Sequence, residues 1–474
     1  NDSPIFRPMK IAADFSNLRN RGFIDEKVKN LISEVLVPRA AAYLSGILKV
    51  KGPTHLSVSE EHCGGDIVIP PQFRDTAFET DLFLFVDGFN EAGSSYLAFA
   101  SSCQLNSYNN RPNVGIINFN AAGVSLALKE VDNMISATLH EMIHVVGFDS
   151  QLFPSFPLGI DQLYEAERAT DGTVRAYLKS PGLVAHARTH FNCSSLTRVP
   201  LENEGGASSA TSHFEKLVLG NELMTAQLSA ASVVSPFTMQ LLADSGWYTV
   251  EFGKAESLGW GQGRGCDFAQ GSVADSAEVC RVMDQAACTV DRMGMSICGL
   301  SVFSDGFMVR SFFKDGLCTT SNFFNSSISY LPTGWTSTGG NSRCFELEDS
   351  ESARPGCFPT FCDVKGVVTL TLNATNYTCT SSNQVIFAGP FRMQCPDPLK
   401  ICADRPKCPG ECSGNGKCLS DGTCSCDFLF KGPACNIHRV CDDPVICERM
   451  AIDRVTSASL MGMALIGLFL LLAN

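Results

Sequence analysis

Twenty-two cysteines in 474 residues constrain this chain more than any other feature. An even number at this density points to an oxidising compartment, where thiols pair and crosslinks substitute for part of a hydrophobic core. Nineteen of them lie from Cys266 onward, so the two halves must be built differently. The length suits about three domains of roughly 150 residues. Hydrophobic residues make up 45% and charged residues only 18%, with 36 basic against 49 acidic and a net charge of −13. A long disordered chain would be more charged and less apolar. A nucleic-acid partner is excluded, because the charge repels phosphate and no Lys/Arg cluster stands out. Asn1, Asn192, Asn325, Asn373 and Asn376 each head an Asn-X-Ser/Thr sequon and are expected glycosylation sites on an extracellular chain.

Both ends carry expectations. The first residue is Asn rather than Met, so a secretory signal is expected to have been removed already. The run from Thr456 to Asn474 is uncharged and apolar but a little short of the roughly 20 residues of a spanning helix, and no Lys or Arg follows it. A terminal apolar tail after small residues suits a GPI-attachment signal; a short membrane helix and a buried C-terminal helix are the alternatives. Membrane attachment through this tail is therefore expected.

The N-terminal third alternates helix-like and strand-like patterns. Val28, Leu31, Ile32, Val35 and Leu36 recur at helical spacing within Glu26–Val37. Asp66–Pro70, Leu82–Val86, Tyr96–Ala100 and Val114–Phe119 read as strands. Val131–Val146 reads as a helix with Ile135, Leu139, Ile143 and Val146 on its apolar stripe and Asp132 placed to cap it. Residues 151–262 mix Gly/Pro-rich loops with short helices such as Pro236–Ser245. From Gly263 to about Ala388, cysteines among β-favouring runs predict a disulfide-stapled β-rich region.

The sharpest chemical signal is His140-Glu-Met-Ile-His144 on the predicted helix. Residues four apart share a helix face, so both imidazoles reach one ion, with Glu141 beside them to handle the proton of a metal-bound water. Two histidines and a Glu on an otherwise apolar helix are costly to bury without such a partner. Zinc needs a third protein ligand and an open fourth position. Two sources compete. Gly147 permits a sharp turn after which a later histidine supplies the ligand, with His186, His190 and His213 as candidates and His55, His62 and His438 less well placed. Alternatively Glu167 supplies it from the Glu167-Arg-Ala-Thr-Asp171 run, an ExxxD arrangement.

Two resemblances bear on this choice. The spacing C-x3-C-x5-C-x5-C-x-C-x8-C from Cys408 to Cys435 resembles an EGF-like module, which implies the pairings Cys408–Cys418, Cys412–Cys424 and Cys426–Cys435. Ser212-His-Phe-Glu-Lys216 and Glu222-Leu-Met-Thr225 resemble the third-ligand and Met-turn segments of the leishmanolysin family of surface metalloproteases, in the metzincin clan. So do Arg111–Asn118 (RPNVGIIN), Leu201–Gly206 (LENEGG), Asp244–Tyr248 (DSGWY) and Ala255–Gly261 (AESLGWG) before Gly265-Cys-Asp-Phe268. The resemblance covers about residues 1–400. It includes the family's long insertion into His-x-x-Gly-x-x-His, which here leaves Ser at position 150 and places His213 far downstream.

This resemblance implies one Zn2+ per chain held by His140, His144 and His213, Glu141 as general base, and Met224 as the floor beneath the metal, although a Met alone is more often core filler. It implies a structural role for His186 and His190, and the disulfides Cys63–Cys103 and Cys193–Cys266. Family precursors block their zinc with a pro-segment cysteine, so this chain is expected to be a mature form. The expected fold class is α+β: a metzincin-type N-terminal catalytic domain over 1–148, a mixed central domain over 149–262 with the third ligand and Met-turn, a disulfide-rich β domain over 263–400, an EGF-like module over 401–447 and a linker with hydrophobic tail over 448–474. The implied function is a zinc metalloendopeptidase acting on extracellular or surface proteins, with substrate extended beside an edge strand and Val114–Asn118 nearby. The alternative is a surface adhesion protein that uses a protease-like fold and the EGF-like module.

Overall fold

Proline at position 38 shapes the first long helix. Asp25 starts it by accepting the Lys27 amide, and it runs through Glu26–Leu31, a π-turn at Ile32–Leu36, and Val37–Ile47; we call it α1. Pro38 can neither donate to the preceding turn nor fit against its carbonyl, and the π-turn absorbs that interruption. The computed structural model describes residues 6–438 other than 52–54, 64–66, 95, 128–129, 169–171, 207–208, 320–330, 333, 340, 351, 364–366, 403–407, 420–421 and 428. Asn1, Asn325, Cys441, Cys447 and the 448–474 tail lie outside the described residues. Among the described residues no helix is long and apolar enough to cross a membrane.

The architecture is α+β. A four-stranded sheet is made of β1 (Ile11–Asp14), β2 (Leu82–Phe89), β3 (Ala98–Leu105) and β4 (Pro112–Asn120), in the order β1-β2-β4-β3. β1, β2 and β4 run parallel, and β3 is antiparallel to β4 at the edge. The interior strands β2 and β4 are buried on both faces, as their continuous apolar runs require. Leu84, Val86, Ile117 and Phe119 face α1 and the helix α2 (Val131–Val146). Phe83, Phe85, Val114 and Ile116 face a cover formed by Leu56, Val58, Ile67 and Ile69. Gly115 lets α2 lie close on the sheet, since a Cβ there would meet the Val145 side chain at 2.3 Å.

Three local expectations change. Of the strand expected at Asp66–Pro70, Asp66 lies outside the described residues and residues 67–70 form only an isolated bridge, from Val68 to His62. The strand expected at Tyr96–Ala100 slides to Ala98–Leu105 and forms the sheet edge, whereas the Val114–Phe119 run belongs to the interior strand β4. Asp132 lies in the first turn of α2, but no side chain caps that helix.

Residues after α2 form an antiparallel sheet of β5 (Tyr164–Arg168), β6 (Val174–Leu178) and β7 (Val199–Pro200), with helix α3 (Pro181–Phe191) between the last two. Helix α4 (Pro236–Asp244) packs against α3. The insertion shares the main core with the first sheet: Phe191 meets Phe237 at 5.8 Å, Phe237 meets Phe214 at 6.1 Å and Phe214 meets Phe148 at 4.6 Å between ring centroids.

The C-terminal half is β-rich. Ala286–Cys288, Gly294–Leu300 and Met308–Leu317 form one antiparallel sheet, and six strands between residues 342 and 394 form another with its own core. Cys288–Cys344 and Cys318–Cys357 fill the space between them with Met295. The other bridges are Cys63–Cys103, Cys193–Cys266, Cys280–Cys298, Cys362–Cys402, Cys379–Cys395, and Cys408–Cys418, Cys412–Cys424 and Cys426–Cys435 in the last small module. Asn192, Asn373 and Asn376 are exposed.

Gly220 ends the short helix Lys216–Leu219 with φ at +48°, and a Cβ there would lie 2.2 Å from the Trp260 indole. Gly220→Ala therefore combines overpacking with a backbone conformation that favours glycine, and should cost about 2–4 kcal/mol. Chemical denaturation measures this; an unchanged midpoint would contradict the close approach.

Candidate metal centre

Four residues apart on α2, His140 and His144 turn their rings to the same side, and both are buried. The chain then leaves the helix at Gly147, and the Phe148 carbonyl folds back to accept a hydrogen bond from Nδ1 of His144 at 2.6 Å. The long insertion opens and closes at one place: Ser150 and Ser212 hydroxyls lie 3.0 Å apart, and the Ser150 amide donates to Ser212 at 3.3 Å. That closure returns His213 to the neighbourhood of α2. Leu201 and Thr225 both bridge to Phe214, fixing the backbone next to His213.

The three Nε2 atoms converge. They are 3.0 Å apart between His140 and His144, and 3.1 Å from each of these to His213. Each Nδ1 faces a backbone carbonyl: Leu223 for His140 at 2.8 Å, Phe148 for His144, and Ser209 for His213 at 2.8 Å. A carbonyl can only accept, so each ring carries its proton on Nδ1 and presents a bare Nε2 lone pair. Three such lone pairs facing one another have no proton to share, and a cation resolves the clash. An all-imidazole set of three, at this spacing, suits an ion about 2.0–2.1 Å from each nitrogen with its fourth position open, as zinc takes in catalytic sites.

Burial keeps the rings neutral and ready to ligate. It lowers His144 to about 4 and His213 to about 3, and His140 well below its ordinary value, with mutual repulsion adding for His140 and His213. Glu141 sits beside them. Burial pushes its carboxyl up to about 8, opposed by a hydrogen bond from the Ala100 amide of edge strand β3. A carboxyl held near neutrality is suited to accept a proton and give it back.

Next to this group, at the Leu223 carbonyl that faces His140, the chain turns at Glu222–Thr225. Met224 is fully buried, and its carbonyl accepts the Phe214 amide at 2.8 Å. The buried Glu222 carboxylate ties the turn to α4. It accepts from the Met224 amide, the Ser235 hydroxyl at 3.1 Å and the Thr238 hydroxyl at 2.7 Å. Burial nonetheless raises its carboxyl to about 7.

The other candidate ligands lie elsewhere. Glu167, exposed on β5, pairs with Arg198 at 2.9 Å and accepts from Tyr177. His190 donates from Nε2 to the Trp260 carbonyl at 2.8 Å, and His186 packs on Phe237. The carbonyl partners of the three rings, the Ala100 amide and Glu222 were not legible beforehand. Backbone acceptors carry no side-chain signature, and Glu222 reads as an ordinary acidic residue.

Residues 22–327 match the leishmanolysin family profile, and residues 408–438 match a teneurin-like EGF domain. The chain is 28% identical over 253 residues to a leishmanolysin-like peptidase of Drosophila melanogaster, covering 43% of this chain and 37% of that protein. It is 30% identical over 289 residues to leishmanolysin of Leishmania donovani, covering 58% and 47%. It is 32% identical over 250 residues to leishmanolysin of Leishmania chagasi, covering 52% and 40%. The chain thus matches less than half the length of each of these relatives. The family match nevertheless takes in more than half of the chain, three strands of the four-stranded sheet (β2, β3 and β4), all three convergent histidines and Glu141. On that match, the chain belongs to the leishmanolysin family.

Proposed function

We propose that this chain is a zinc metalloendopeptidase of the extracellular or secretory space, with His140, His144 and His213 as the metal ligands and Glu141 as the general base. The observation that carries the reading is the meeting of three bare Nε2 atoms beside a carboxyl that burial lifts to about 8. A zinc ion supplies Lewis-acid activation of water and of a peptide carbonyl when bound there. The remaining work falls to the chain. The backbone carbonyls of Leu223, Phe148 and Ser209 hold the rings in one tautomer and one orientation. Glu141 accepts a proton from the attacking water and returns it to the leaving amine.

The edge strand β3 offers a substrate its backbone groups, and its Ala100 amide contacts Glu141. A peptide added alongside β3 in extended form therefore passes the base. Met224 closes the floor with an apolar, polarisable side chain. Asn192, Asn373 and Asn376, all exposed within sequons, support glycosylation at these positions.

Glu141→Gln should lower cleavage of a denatured protein by about 10²–10⁴-fold while one zinc per chain remains. Peptidase assays paired with metal analysis of the same sample decide this; retained cleavage would remove Glu141 from its role. His213→Ala should weaken zinc binding by more than the roughly 10–100-fold that losing an outer hydrogen bond costs. Chelator competition measures it, and unchanged affinity would show that the third ligand lies elsewhere.

A further inference from the structure

The EGF-like module does not stand apart from the body that carries the histidines. Its hairpin strand Gly416–Cys418 presents Lys417, whose Nζ donates to the Ser232 carbonyl at 2.9 Å and pairs with Glu256 Oε1 at 3.0 Å. Glu256 is buried, with its side chain 8% exposed, and Lys417 is its ion-pair partner among the described residues. Leu429 of the same module packs on the main core. Asp427 is charge-coupled to Asp132, in the first turn of α2, and to Lys417.

A short hydrogen-bond path leads from this contact to a ligand ring. The second oxygen of Glu256 accepts the Val234 amide at 2.7 Å. The adjacent Val233 accepts the Leu223 amide at 2.8 Å and donates to the Asn221 carbonyl at 2.9 Å. The Leu223 carbonyl is the group that orients His140 through Nδ1. The segment 232–234 is thus held from one side by the module and from the other by the turn that contains Met224.

We propose that Lys417 is a positioning residue for the metal centre, and that the EGF-like module is an intramolecular brace for the loop that orients His140. The proposal rests on the reading of the three histidines as metal ligands. Removal of the Lys417 charge leaves a buried carboxylate without its counter-charge, which frees Glu256 and the Val234 amide to find other partners. The loop then loosens, and the Leu223 carbonyl no longer fixes the His140 ring. Arg at position 417 keeps the charge and the donors, and should keep the loop in place.

The test uses the full chain loaded with Co2+, whose visible absorption reports the coordination of the ion. Lys417→Met should raise the Co2+ dissociation rate by about tenfold, the low end of what loss of an outer ligand partner costs. It should also speed amide exchange of Leu223 and Val234. Lys417→Arg should restore both. Lys417 is half-exposed, so the substitution empties no core. Should that variant fail to fold, Glu256→Gln reads the same pair while keeping an acceptor for Val234, and should give the same faster release. Where both fold, adding Glu256→Gln to Lys417→Met should bring little further change. Wild-type protein that takes up no Co2+ overturns the metal reading and this proposal with it. Co2+ uptake with the same release rate in wild type and Lys417→Met overturns the brace alone, whether or not loop exchange rises.

Discussion

Three imidazole N–H groups donate to three backbone carbonyls, and everything distinctive about this chain follows from that arrangement. Each bond fixes a tautomer and so turns a bare nitrogen toward the other two. In a buried site, protonation is no escape from the crowding, because a charged imidazolium there lacks hydration. The pocket could therefore hold a cation. The carbonyls of Leu223, Phe148 and Ser209 come from three separate segments, so the site exists only when the fold is complete.

The rest of the structure brings those segments together. The buried sheet and Gly115 set the position of α2. The serine contact between positions 150 and 212 lets a long insertion leave and return without moving the third histidine. Phe148, Phe214, Phe237 and Phe191 link the insertion to the sheet in one core. Glu222 gathers the Met224 turn and α4 on one buried carboxylate. Disulfides then hold the β-rich half, where apolar layers are thin and paired cysteines occupy the middle of the core.

Some of this was legible in the sequence for definite reasons. The apolar stripe of Val131–Val146 and the i, i+4 histidines follow from helical periodicity, and the structure gives the same boundaries for that helix. The six-cysteine spacing resembled an EGF-like module strongly enough to imply its three bridges. The third convergent histidine was different: spacing left several histidines and Glu167 open, and the resemblance to leishmanolysin was what pointed to His213. Long-range closure through Ser150 and Ser212 has no local pattern. Which strand forms the edge was left open, because Tyr96–Ala100 and Val114–Phe119 both read as strands, and pairing order is not written in periodicity. The docking of the EGF-like module was equally hidden, since Lys417 reads as any exposed lysine on a hairpin.

The most direct test of the central claim is an anomalous X-ray measurement at the zinc edge on crystals of the purified chain. The account predicts one peak about 2.0–2.1 Å from Nε2 of His140, His144 and His213, with no fourth protein ligand. A peak held by other side chains, or zinc-loaded crystals with no peak between these three rings, would contradict it.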